Sequence, residues 1–145
     1  MLKKTIIAIS CALIFCQVSF AERCPSVSDI KNNKLNGWKA YDSEEGTPLS
    51  AAREKQFKNI VEQFALAEWT NNKKQLGSIH CYYRDKTGSS LEAYLAKENF
   101  HPRLSSKNFW YEVSGYMHCA AGMERCEFNN PLTKQQLAMK GKIRS

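Results

Sequence analysis

Metal-ligand spacing is absent from this chain, and with it the shortest route to a reaction. There is no C-x-x-C and no H-x-x-x-H, and only three histidines, His80, His101 and His118, occur in 145 residues. Imidazole and thiolate, the ligand types zinc favours, do meet at His80-Cys81 and His118-Cys119. Adjacent strand residues point to opposite faces, however, so neither pair can turn both side chains to one ion. No metal or other cofactor is expected, and no small-molecule substrate. After residue 18 no apolar run approaches the ~20 residues of a membrane-spanning helix. Acidic residues stop at Glu127, and the chain has neither an internal repeat nor a low-complexity linker.

The N-terminus indicates the compartment. Lys3 and Lys4 precede an apolar run from Thr5 to Val18, and Ser19-Phe20-Ala21 puts small residues at the −3 and −1 positions of a cleavage site. This is the pattern of a secretory signal peptide over residues 1–21, with the mature chain starting near Glu22. The 124 residues left carry 19 basic and 14 acidic side chains, a charge near +5, and four cysteines, Cys24, Cys81, Cys119 and Cys126. That length suits one domain. An even cysteine count in an exported chain points to two disulfides, formed in the periplasm or, as second choice, outside the cell. Cys119 and Cys126 enclose six residues and can close on themselves, which would leave Cys24–Cys81 to pin the N-terminal arm. A Cys81–Cys119 bridge across the sheet and the remaining connectivity stay open.

Hydrophobic period sets the expected fold. Phe57, Ile60, Val61 and Phe64 recur at the spacing of one helical face, so a helix is expected from about Pro48, capped by Thr47, to Trp69. After Gly77 the period becomes two. Ile79, Cys81 and Tyr83 alternate with His80, Tyr82 and Arg84; past a turn at Asp85–Ser89, Leu91, Ala93 and Leu95 alternate with Glu92, Tyr94 and Ala96, which reads as a hairpin. A further strand runs from Phe109 to Ser114, with Gly115 a candidate bulge, and a short one lies around Trp38–Tyr41. Thr133 to Gln136 has capping-box spacing for a short C-terminal helix. It lies in a basic tail, about 132–145, that carries Lys134, Lys140, Lys142 and Arg144. The expected class is α+β: one long helix packed on an antiparallel sheet of three to five strands, stapled by two disulfides, in a single domain over 22–145.

Two uses of the outward strand faces compete. If Tyr111 and Val113 face the core, then His80, Tyr82, Arg84, Trp110 and Glu112 share the other side, joined by Tyr116 and His118 unless Gly115 is a bulge. His80, Glu112 and His118 on one face of a basic exported domain would suit phosphodiester cleavage by general acid and base, as in a secreted ribonuclease. The plainer use is a binding surface, because aromatic residues anchor interfaces; Trp38, Tyr94, Trp110, Glu112 and Tyr116 are the candidates. Nucleic acid is not favoured as a partner, since basic residues are interspersed with acids except in the tail. The tail offers peripheral membrane contact as a further use, although such ends are more often simply solvated. One helix across a disulfide-pinned sheet is also similar to cystatins, but their inhibitory Q-x-V-x-G loop is absent.

Signal peptide, Cys24-Pro25 near the cleavage site, Gly37-Trp38, a central helix, Cys81-Tyr82 in a strand and the closing Cys119…Cys126-Glu127-Phe128 together resemble the small periplasmic proteins related to EirA in intracellular γ-proteobacteria. That family is associated with type IV secretion and replication inside host cells. The resemblance implies a non-enzymatic periplasmic accessory protein that supports the secretion system through envelope or secretion-system partners, and a homodimeric assembly. It brings no catalytic residues with it.

Overall fold

In a computed structural model of the chain, residues 21–70, 77–102 and 109–129 are described. Two short helices, α1 (Val27–Lys31) and α2 (Ala51–Ile60), accompany eight strands: β1 (Lys39–Asp42), β2 (Gln63–Thr70), β3 (Ser78–Arg84), β4 (Ser90–Glu98), β5 (His101–Pro102), β6 (Tyr111–Val113), β7 (Tyr116–Cys119) and β8 (Phe128–Asn129). Six form one antiparallel sheet in the order β1-β4-β3-β2-β7-β6, and β5 pairs with β8. The expected long helix on a smaller sheet is therefore wrong. The described residues are mostly antiparallel sheet with two short helices.

The error lies at Val61. Ser50, not Thr47, caps α2 by accepting from Arg53 N–H at 3.3 Å, and Pro48 bridges to Tyr41 ahead of the helix. Val61 then turns extended, with φ −65° and ψ 130°, and Gln63–Thr70 becomes β2, paired with β3 on one side and β7 on the other. Its sequence is rich in helix formers, but propensity is a weak prior beside two neighbouring strands. The second difference is at Ser114-Gly115. Both adopt positive φ, 50° and 86°, and Val113 pairs with Tyr116, so the pair is a two-residue hairpin turn and not a bulge. The expected C-terminal helix and basic tail lie outside the described residues, as does most of the leader.

One face of the sheet is covered. Ile79, Cys81, Tyr83, Leu95, Ala67 and Cys119 are at most 1% exposed on it. Phe57 of α2 meets Tyr83 edge-on at 6.1 Å, while Trp38 and Phe100 close on Phe128 at 5.8 and 5.3 Å. The N-terminal arm lies here too: Glu22 and Phe128 exchange both backbone hydrogen bonds, at 2.8 and 3.0 Å, and Tyr83 donates to the Pro25 carbonyl at 2.7 Å. Cys24 is bridged to Cys81 and Cys119 to Cys126. The first bridge spans 57 positions and ties the arm to the middle of the sheet. In the chain-entropy account such a loop contributes on the order of 4 kcal/mol. Both bridges are consistent with an exported protein in an oxidising compartment.

The outer edge of β1 is occupied by its own chain. Leu49 N–H donates to Ala40 O at 3.0 Å and Asp42 N–H to Thr47 O at 2.8 Å. Asp42 is buried, and its carboxylate accepts from the backbone of Glu45 and Glu44 and from Arg53. The Glu45 amide first, then the Arg53 guanidinium, hold it below the usual carboxylate range.

Candidate functional site

Among the described residues no helix or loop covers the other face of the sheet, its open face. Among the described residues, every ring contact and side-chain hydrogen bond on it runs between members of the sheet itself. Register places its residues in rows, because paired residues of antiparallel strands share a face. Tyr41, Tyr94, Tyr82 and Leu66 form one row across β1, β4, β3 and β2. Lys39, Ala96, His80, Glu68, His118 and Tyr111 form the next, across all six strands.

At its centre one carboxylate serves two imidazoles. His118 Nε2 lies 2.8 Å from Glu68 Oε2, and His80 Nδ1 lies 3.7 Å from Glu68 Oε1. Tyr82 donates its hydroxyl to Glu68 Oε1 at 3.3 Å. His80 Nε2 is 3.2 Å from Ser78 Oγ, which is 2.7 Å from Thr70 Oγ1. The three central side chains are about one-fifth exposed. His80 and then His118 favour the ionised carboxyl of Glu68 and hold it below its usual range, against the opposite pull of burial. Burial, reinforced by the charge of Glu68, pushes the Tyr82 hydroxyl up, so it remains a donor. The donors surround one carboxylate and not one point in space. Among the described residues no group of three His, Cys, Asp or Glu is placed to hold a metal.

Aromatic rings flank this centre. Tyr94 stacks on Tyr41 at 5.6 Å and 18° and meets Tyr82 at 5.4 Å and His80 at 4.6 Å. Only the Tyr41–Tyr94 pair is stacked; the contacts of Tyr94 with Tyr82 and His80 are tilted, at 34° and 33°. Tyr111 stands 6.2 Å from His118. Tyr111, Val113 and Tyr116 at the β6–β7 hairpin are 49%, 39% and 46% exposed. Five of the six tyrosines thus lie on the open face; Tyr83 is the exception.

Of the residues expected to bind a partner, Tyr94 and Tyr116 lie on this face. Trp38 and Trp110 do not: they are 6% and 3% exposed, because Trp38 closes the core against Phe128 and Trp110 donates to Glu127 O at 3.0 Å. Glu112 pairs with Met117 in the row of Trp69 and Ile79, which turns toward the covered side. It therefore cannot join His80 and His118, and Tyr111 and Val113 take the open side instead. The hairpin turn reverses the parity that a continuous strand would have given. Glu68, the acid that does join the histidines, was hidden inside the expected helix. The signal for it was the alternation Leu66, Glu68, Thr70 against Ala65, Ala67, Trp69.

Fold and site define a disulfide-pinned antiparallel β domain with one covered and one open, tyrosine-rich face. The chain matches a family described as protein of unknown function (DUF3757) over residues 19–129, a span that contains both disulfides and all of the open face, and it belongs to that family. No curated protein and no solved structure matches it.

Proposed function

We propose that this protein is an exported, non-enzymatic binding module that uses the open sheet face to engage a protein of the cell envelope. The observation that carries this reading is the placement of five tyrosines on that face. Tyrosine supplies a large, rigid, amphipathic contact area at low entropic cost, and it is enriched among the residues that dominate interface energies. Periplasmic residence and support of a type IV secretion system in intracellular replication are the finer form of the proposal, drawn from the resemblance to EirA-related proteins. The test is in-cell photo-crosslinking with a reactive side chain at Tyr111 and, as control, at the exposed Lys55 of α2. An envelope-protein adduct at Tyr111 and none at Lys55 is expected; equal labelling, or none at either, sinks the proposal.

A ribonuclease-like phosphodiesterase is the second reading, and the observation that favours it is the joining of His80 and His118 through Glu68 on one face. Glu112 has no part in it. Purified protein should then cleave RNA, and His118→Ala should abolish cleavage; an inert wild-type protein removes this reading.

A further inference from the structure

Toward β1 the open face sinks into a hollow of about 340 Å³. Its floor is the methyl group of Ala96, the one small side chain in its row, flanked in register by Lys39 and His80. The stacked pair Tyr41 and Tyr94 walls it on one side, and Ser78 and Glu98, paired across the strands, wall it on the other. Hydrogen-bond donors dominate this lining. Among the described residues the Lys39 ammonium and the Tyr41 and Tyr94 hydroxyls have no hydrogen-bond or ion-pair partner. Burial, and then Tyr41 beside it, push the Tyr94 hydroxyl up and keep it protonated. Lys97 also borders the hollow, but its ammonium is held by Glu22 at 2.5 Å. Glu98 is the only acid in the lining and stands exposed at the rim; Glu68 lies behind His80 and is shared by the two imidazoles.

We propose that this hollow receives the carboxylate of an acidic side chain presented by the protein partner, which rests on the reading of the open face as an interface. The Lys39 ammonium supplies the charge, Tyr41 and Tyr94 donate from the wall, and the Ala96 floor leaves the space. Charge-assisted hydrogen bonds of this kind are about twice as strong as neutral ones. The Glu98 carboxylate opposes the incoming group, which gives the proposal an unusual signature: removing Glu98 strengthens binding.

The experiment titrates isotope-labelled mature protein with N-acetylated, C-amidated tetraglutamate, with tetraglutamine blocked in the same way, and with inorganic phosphate, and follows backbone amide shifts. Tetraglutamate should shift Lys39, Tyr94 and Ala96 saturably, and tetraglutamine should bind about tenfold more weakly or less, a difference of one charged contact. Lys39→Met should weaken tetraglutamate by a similar factor, Ala96→Leu should abolish its binding by filling the floor, and Glu98→Gln should tighten it. Lys39 is exposed, so its variant keeps the test open even if Ala96→Leu does not fold. Equal binding of the two peptides, or affinity unchanged in Lys39→Met, overturns the proposal. Saturable phosphate binding without tetraglutamate binding assigns the hollow to a free anion and overturns it too. If peptide binding fails while the Tyr111 crosslink stands, only the hollow falls; if the crosslink fails as well, the interface falls with it.

Discussion

Tyr82 and Tyr83 are neighbours in β3, and one step of the pleat makes them different residues. Tyr83 is 1% exposed; its hydroxyl donates to Pro25 O, and the rings of Phe57 and Phe64 close on it at 6.1 Å. Tyr82 is only partly buried, reaches toward Glu68 and meets Tyr94. The covered face is made of side chains that satisfy one another and leave little to explain beyond folding. The open face keeps Tyr111, Val113 and Tyr116 exposed at the β6–β7 hairpin. Stability should therefore be concentrated on one face and recognition on the other.

Breaking the covered face should have the largest effect. Phe128→Ala removes a fully buried ring between Trp38 and Phe100 and should cost about 3–5 kcal/mol in urea unfolding. Cys24→Ser, which frees the arm from Cys81, should cost about 2–5 kcal/mol. If either loss were below about 1 kcal/mol, the division between the faces would not hold. The paired tyrosines sharpen the comparison. Tyr83→Phe leaves the Pro25 carbonyl buried and unpaired and should cost about 1–3 kcal/mol, whereas Tyr82→Phe should cost less than half as much by the same assay.

A smaller effect separates the faces by pH. The folded-state pKa of Glu68 is lowered from 4.5, so its stabilising contribution is complete above that value and is lost as pH falls through the folded one. Glu68→Gln lacks this contribution. The stability gap between wild type and Glu68→Gln should thus be fully present above pH 4.5 and shrink as pH falls below it through the folded-state pKa, as followed by urea unfolding across the range; a gap that widens in acid contradicts the arrangement around Glu68. The smallest change belongs to the hairpin, where Tyr111→Ser and Tyr116→Ser should alter thermal stability by no more than about 0.5 kcal/mol each.

Legibility in the sequence followed the same division. Strands β3 and β4 could be read because their two faces differ sharply: Ile79, Cys81, Tyr83, Ala93 and Leu95 turn inward, and their neighbours do not. β2 could not, because Gln63, Ala65, Leu66 and Glu68 favour a helix in isolation and only pairing with β3 and β7 overrides them. The candidate site followed β2 into that error, since its central acid sits there. Alternation puts His118 beside His80 only on the condition that Gly115 is not a bulge and Tyr111 faces the core, and it pairs them with Glu112, which lies on the other side of the sheet because Ser114-Gly115 is a turn. That dipeptide is itself a turn signal, and taking it as one would have put Tyr111, Val113 and Tyr116 on the open face.

The most direct measurement asks whether recognition can be removed without touching the fold. Mature wild-type protein and the Tyr111→Ser/Tyr116→Ser double variant, matched for melting temperature, would each be used to capture proteins from the organism's own envelope extract, with the retained proteins quantified by mass spectrometry. The account predicts a defined envelope protein retained by the wild type and depleted at least tenfold by the variant, the scale of two interface anchors worth ~1 kcal/mol or more each. An identical retained set from two equally stable proteins would contradict it.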